Sequence, residues 1–344
     1  MKKYRSRAPL RLGLAGGGTD VSPYCDLYGG QVLNATINHY AYCTIEPLTG
    51  GGVEFTALDV EKTERHSCES RIDPGGGLAL HRETYNLIVE RFNNGRPLPL
   101  RLWTHSDAPP GSGLGSSSTL VVAMVQAYLE WLRLPLGEYD VARIAFEIER
   151  IRLRQTGGRQ DQYAAAFGGV NFIEFHKDER VVVNPLRVKG WIMNEFEASL
   201  VLYYSSVSRY SSTIIQEQIA RVEKNEENAL DGTHQLKEDA LRMKEALLKG
   251  DLGGVAAVLA DSWESKKKLA SSISNPDLDE TIEVARKAGA IAAKVSGAGG
   301  GGFMMLMVEP SRRLILERAL AERGGRLVPF RFSPEGVESW TVNP

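Results

Sequence analysis

The sequence predicts an α+β protein of two domains, and three observations carry that expectation. At 344 residues the chain has room for two units of about 150 residues, each able to bury a core of its own. Its first half alternates short β-branched and aromatic runs with glycine clusters, as strands joined by tight turns do. After about residue 195 the pattern turns mainly helical and then closes on two strand-like runs around a glycine tract. The expected division is residues 1–195 and residues 196–344.

In chain order, residues 32–45, 99–104 and 169–175 are rich in β-branched and aromatic side chains between turn signals and read as strands. Residues 116–134 and 138–154 read as helices. In the second, Val141, Ile144, Ala145, Ile148 and Ile151 recur at i, i+3, i+4 spacing and should form one apolar stripe. The second half opens on a strand at 200–204. Helical patterns follow at 211–230, 233–249 and 252–269, the middle one with Leu236, Ala240, Met243 and Leu247 on one face. Strands at 290–295 and 303–308, a helix at about 311–322 and a last strand at 327–332 complete the reading.

Charge narrows the partners. Lys and Arg total 41 against 43 Asp and Glu, so no global field draws nucleic acid or an anionic membrane, and neither is expected as a partner. The 3 cysteines, Cys25, Cys43 and Cys68, form no CxxC and no disulfide framework, which fits a reducing cytoplasm. The apolar run 120–134 is short and carries Gln126, Glu130 and Arg133, so no membrane anchor is expected.

The strongest local signal is Pro109-Pro110-Gly111-Ser112-Gly113-Leu114-Gly115-Ser116-Ser117-Ser118, leading straight into an apolar helix. Glycines let backbone N–H groups converge, serines can cap, and the helix N-terminus adds partial positive charge, which together make a phosphate cradle. It is not a Walker A loop, because no Gly-Lys-Ser/Thr follows the glycines. Gly297-Ala298-Gly299-Gly300-Gly301-Gly302 satisfies GxGxxG, but a strand-like run follows it where a dinucleotide fold needs a helix. Two further clusters set charges beside glycines: residues 7–20, with Arg11, Gly18, Thr19 and Asp20, and residues 157–163, with Arg159 and Asp161.

Together these clusters resemble, in type and order, the three motifs of the GHMP small-molecule kinases, which include galactokinase, homoserine kinase and mevalonate kinase. The likeness covers nearly the whole chain. It implies the two-domain GHMP kinase fold with its active site between the domains, and ATP and Mg²⁺ as cofactors. Within the superfamily, the runs at 15–20 (AGGGTD), 160–169 (QDQYAAAFGG) and 296–304 (SGAGGGGFM) resemble the bacterial D-glycero-D-manno-heptose 7-phosphate kinases. Galactokinases carry Glu-His where this chain has Gly17-Gly18, which argues against galactose.

The resemblance places Asp161 as the catalytic base and Arg11 as its cationic partner, and chemistry agrees that a carboxylate beside an acceptor hydroxyl can take its proton. A salt bridge of purely structural role is the other reading of Arg11. Residues Pro110, Gly111, Ser112, Gly113, Leu114, Gly115, Ser116, Ser117 and Ser118 would hold the nucleotide. Gly18, Thr19, Asp20, Asp161, Gly299 and Gly300 would hold the sugar. Ser117 would bind Mg²⁺ with a carboxylate. At about 100° per residue Glu147 and Glu149 lie on opposite shoulders of the apolar stripe, so geometry leaves both open; spacing from Asp161 in the family favours Glu149. A sugar phosphate needs a further cation, for which Lys2, Lys3, Arg5, Arg7, Arg152, Arg154 and Arg159 are candidates. The expected partners are a sugar phosphate and ATP, with a homodimer left open.

Overall fold

A computed structural model describes residues 2–205 and 211–343. The first unit runs β1 (Lys3–Ala15), α1 (Tyr24–Tyr28), β2 (Gly30–Pro47), β3 (Val53–Ala57), β4 (Lys62–His66), α2 (Ala79–Phe92), β5 (Leu100–Ser106), α3 (Ser116–Leu132), α4 (Glu138–Phe146), α5 (Gln160–Phe167), β6 (Val170–Phe175) and β7 (Val181–Pro185). The second runs α6 (Gly190–Ser199), β8 (Leu200–Tyr204), α7 (Ser211–Glu223), α8 (Glu227–Lys249), α9 (Leu252–Lys267), α10 (Pro276–Lys287), β9 (Ala290–Val295), β10 (Phe303–Val308), α11 (Arg313–Ala321) and β11 (Arg326–Leu327). A final strand, β12 (Glu338–Val342), returns to the first unit.

The long strand β2 organises the larger sheet. Its early residues pair with β6 and its late residues with β5, while β1 runs antiparallel along its other edge. The β1–β2 register slips twice, between Pro9 and Arg11 and between Gly13 and Ala15. Proline has no N–H for the ladder, and such irregularities re-aim side chains; Arg11 sits between the two. On this sheet lies α3, which buries Val121, Val122, Met124, Val125, Tyr128 and Leu129.

The smaller sheet has the order β11-β8-β10-β9, all antiparallel. One apolar cluster bridges both units, with Leu10, Leu12, Leu33 and Ile37 from the first and Met243, Leu247, Phe303 and Met305 from the second. The two units are therefore joined by a shared core, and their glycine loops touch, Ser296 Oγ donating to Gly113 O.

Several sequence expectations are corrected. The end of the chain is not part of the second unit: β12 pairs with β1, Lys3 opposite Val342 and Arg7 opposite Glu338, and so closes the first sheet; Pro344 lies outside the described residues. Of the strand expected at 327–332, Leu327 pairs with β8 together with Arg326 before it, Val328 N–H donates to Leu202 O at 2.9 Å, and Phe332 makes a single bridge to Ile37. The helix expected over 211–230 is cut where Asn225 takes a left-handed φ of 52°, a conformation that ends helices.

The helix expected over 138–154 is α-helical only to Phe146, after which Glu147–Arg152 widens into a π-helix. Leu153 N–H donates to Ile148 O at 3.1 Å, five residues back. The wider turn rotates Ile151 off the stripe, and it is 61% exposed.

Candidate active site

A cleft of about 520 Å³ gathers residues from all four glycine clusters and from α7 and α9. Its floor is the loop before α3. Gly111, Gly113 and Gly115 all take positive φ, 75°, 83° and 77°, which side chains resist. Gly115 is the N-cap and no side chain caps the helix, so the serines do not take the capping role open to them. The helix end thus keeps its N–H groups for an anion. Gly111, Gly113, Gly115, Ser116, Ser117 and Ser118 line the cleft. Ser112 and Leu114 are fully buried; Ser112 O accepts from Phe303 N–H at 2.9 Å, and Leu114 joins the shared core.

The third glycine loop closes on this floor. Ser296 Oγ donates to Gly113 O at 3.0 Å, and a Cβ on Gly297 would lie 2.6 Å from Gly113 Cα. Gly297 and Ala298 face the cleft. Gly299 and Gly300 are absent from its lining: Gly299 packs on Ile273, and Gly300 N–H donates to Ile273 O at 2.7 Å.

Arg11 and Asp161 meet at the centre. Arg11 donates to Asp161 Oδ1 through Nε at 2.7 Å and Nη2 at 2.6 Å, and through Nη1 to Gly113 O at 2.6 Å. Asp161 stands in the first turn of α5, and a Cβ on Gly115 would come within 3.0 Å of its carboxylate carbon. The carboxylate therefore rests against the backbone that opens α3, oriented by a cation anchored to the same loop.

Asp20 lines the cleft, but its oxygens are already engaged. Oδ2 accepts from the N–H groups of Arg159 (2.9 Å) and Gln160 (3.0 Å), and Oδ1 from Gly18 N–H (3.1 Å) and Gln160 Nε2 (3.2 Å). These bonds hold the start of α5, and with it Asp161, against the first glycine loop. Gly18 faces the cleft, whereas Thr19 is fully buried and donates to Gly16 O at 2.8 Å.

Ser117 Oγ donates to Glu149 Oε1 at 3.0 Å, and Glu149, fully buried, also accepts from Gln162 Nε2 at 2.5 Å. A hydroxyl and a carboxylate, two hard oxygens close enough to share one octahedral cation beside a phosphate cradle, fit Mg²⁺. Glu147 points the other way, to Arg91 at 2.7 Å and Arg152 at 3.1 Å.

Of the seven basic candidates, Arg154 alone lines the cleft. Arg7 pairs with Glu338; Arg152 with Glu83, Glu90 and Glu147; Arg159 with Asp26; and Lys3 lies over the Trp103 ring. Lys2 lines a separate depression near Glu130, and Arg5 belongs to β1 opposite Trp340. Arg154 has no ion-pair partner among the described residues. Arg150 joins it in the cleft, donating to Gly158 O at 3.2 Å.

Sequence reasoning missed three more cleft residues. Gln160 Oε1 and Gln218 Nε2 are buried without hydrogen-bond partners among the described residues, an acceptor and a donor open to a polar ligand. Lys266 enters from α9 and donates to Gly297 O at 2.6 Å and Gly17 O at 3.3 Å. Burial pushes its ammonium down to about 8, against the opposing pull of Asp20. Gln160 stands within the run at 160–169, but Gln218 and Lys266 lie on helices whose local sequence carries no motif.

Residues 79–169 match the GHMP kinases N terminal domain and residues 243–326 the GHMP kinases C terminal domain. The chain is 46% identical over 342 residues to a D-glycero-alpha-D-manno-heptose 7-phosphate kinase of Campylobacter jejuni, covering 99% of this chain and 100% of that one. A structure described as a D-glycero-D-manno-heptose 1-phosphate kinase from Bacteroides thetaiotaomicron superposes with a TM-score of 0.85 at 44% identity, over 99% of this chain and 100% of that one. A putative sugar kinase from Campylobacter jejuni gives 0.83 at 45%, covering 99% of each. No helix among the described residues is long and apolar enough to cross a membrane. With both family domains matched in order and a relative 46% identical along the whole chain, the chain belongs to the GHMP kinases, ATP-dependent phosphotransferases with an alcohol as acceptor.

Proposed function

We propose that this kinase phosphorylates the anomeric (C1) hydroxyl of D-glycero-D-manno-heptose 7-phosphate to give the 1,7-bisphosphate, a cytoplasmic step toward nucleotide-activated heptose for surface polysaccharide. The observation that carries the chemistry is Asp161, held by Arg11 and packed against Gly115 at the mouth of the phosphate cradle. The γ-phosphoryl of ATP would lie at the N-terminus of α3 with the acceptor hydroxyl against Asp161. As the new O–P bond forms, the hydroxyl proton passes to Asp161 and the electron pair of the breaking bond leaves with ADP. Arg11 orients the carboxylate and offsets charge on the transferring group. Mg²⁺ held by Ser117 and Glu149 would neutralise the phosphate oxygens.

Arg154 supports a phosphorylated sugar, because a guanidinium without a carboxylate partner in the cleft is free to take a phosphate through two parallel bonds. The names of the two relatives differ in where that phosphate sits, position 7 in one and position 1 in the other. An ADP-coupled assay over heptose 7-phosphate, heptose 1-phosphate, free heptose, fucose, galactose and mevalonate decides. Heptose 7-phosphate should be the best acceptor and the product should carry a new phosphate at C1. Faster turnover of heptose 1-phosphate or of a free sugar would replace this reading.

A further inference from the structure

Lys266 is buried, 4% exposed, near the C-terminal end of α9 with its ammonium in the cleft. Its two hydrogen bonds go to backbone carbonyls, Gly17 O and Gly297 O, one from each glycine loop flanking the cleft. An ammonium has three donors; the third has no protein acceptor among the described residues. Nor does a carboxylate of the described residues stand within ion-pair distance. A buried ammonium held only by carbonyls is costly, and an apolar side chain of the same length would pack there at less cost. Neighbouring Lys294 shows the contrast: it lies outside the cleft lining, with its bonds to Leu14 O at 2.7 Å and Ser262 Oγ at 3.1 Å tying the units together.

Position says what Lys266 awaits. A Cβ on Gly17 would lie 3.6 Å from Lys266 Nζ and 3.5 Å from Gln160 Nε2, which places the ammonium on the side of the cleft built by Gly17, Gly18, Asp20 and Gln160. The charged groups that act on it are Asp20 after β1, Arg11 on β1, Asp161 on α5 and Lys294 on β9. It thus stands on the acceptor side of the phosphate cradle, within the field of the proposed base.

We propose that Lys266 is a catalytic residue of the transfer, its free N–H donating to the attacking oxygen of the acceptor while its other two bonds hold the glycine loops together. As the acceptor O–H breaks and its proton passes to Asp161, negative charge grows on that oxygen, and the ammonium stabilises it without giving up a proton. This role rests on Asp161 being the base.

The test separates charge from latching. Lys266→Met removes both; Lys266→Gln retains two N–H donors for the two carbonyls but no charge; Lys266→Arg keeps charge at every accessible pH. Lys266→Met and Lys266→Gln should both lower kcat by at least about 10²-fold, with ATP affinity by calorimetry within about threefold of wild type. For wild type, kcat/KM should fall above pH about 8 as the free ammonium deprotonates, and Lys266→Arg should lose that limb. Turnover of Lys266→Gln within about threefold of wild type would reduce Lys266 to a latch. A wild-type profile flat between pH 7 and roughly 9.5, or a limb unchanged in Lys266→Arg, would overturn the proposal. If the neutral variants fail to fold in thermal melts, the two pH profiles decide. A wild type inactive on heptose 7-phosphate but active on another acceptor overturns the substrate reading instead, and the same variants are then compared on that acceptor.

Discussion

Glu147 and Glu149 are separated by one residue, as are Arg152 and Arg154, yet the two members of each pair face different surroundings. On the outer side, Arg152 draws together Glu83, Glu90 and Glu147, and Glu147 also takes Arg91. On the inner side, Glu149 is fully buried against Ser117 and Gln162, and Arg154 faces the cleft unpaired. Two steps of about 100° already set Glu147 and Glu149 on opposite sides of a helix, and Arg154 lies beyond the π-helix, which ends at Arg152, with a left-handed φ of 53°. The contrast teaches how to read a charge: one matched by protein partners holds structure, and one facing the cleft is available to a ligand.

The largest effect should come from the proposed base, Asp161. Asp161→Asn keeps the shape and removes the proton acceptor, so kcat should fall by at least about 10²-fold while ATP affinity and thermal stability stay close to wild type. Near-normal turnover from the folded variant would remove Asp161 from the mechanism.

Next in size is the glutamate pair. Glu149→Gln takes a charged oxygen from beside Ser117; kcat should drop by roughly 10-fold to 10²-fold, and the Mg²⁺ concentration needed for half-maximal rate should rise. Glu147→Gln should leave turnover within about twofold. A titration of rate against Mg²⁺ for both variants reads the difference directly, and equal behaviour would dissolve the distinction between the two faces.

The arginine pair sharpens the comparison further. Arg154→Ala should lower kcat/KM for heptose 7-phosphate by about tenfold to a hundredfold and barely alter any residual turnover of the unphosphorylated sugar. Arg152→Ala should instead cost about 1–3 kcal/mol of stability, because it leaves Glu83, 2% exposed, without its cation. Denaturant melts and kinetics on both sugars place each arginine on its side. An Arg154 variant that keeps its preference for the phosphorylated sugar moves the phosphate contact elsewhere.

Legibility in the sequence followed how local the physics was. The loop before α3 was readable because its glycines, serines and apolar helix are contiguous, and β9 and β10 because their apolar runs flank a glycine tract. Helix α2 was not, since His81, Glu83, Thr84 and Asn86 are buried on it and blur the apolar stripe that marks a helix. Strand β4 reads Lys-Thr-Glu-Arg-His, with no apolar alternation at all. In the site, Arg11 and Asp161 could be named from motifs, but their mutual contact spans 150 positions. Lys266, Gln218 and the separation of Arg154 from Arg152 depend on tertiary placement, which no spacing encodes. Likewise, the return of β12 to β1 depends on pairing between the two ends of the chain.

The smallest expected effect tests the π-helical turn itself. In a continuous α-helix Ile151 would lie three residues beyond Ile148 and seven beyond Ile144, both buried, and so would point into the core. Replacing it by Gln would then bury an amide without a partner and cost several kcal/mol. In the π-helix Ile151 is instead 61% exposed beside Tyr139 and Arg143 on the outer surface. Gln has slightly better helix propensity than Ile, and surface changes of this kind fall within about 0.5 kcal/mol. Ile151→Gln should therefore unfold at nearly the wild-type denaturant midpoint, with turnover unchanged. A loss of more than about 2 kcal/mol would mean that Ile151 is a core residue, on the scale of buried large-to-polar changes. The helix would then continue in α form past Phe146, with Ile151 on the buried stripe beside Ile144 and Ile148.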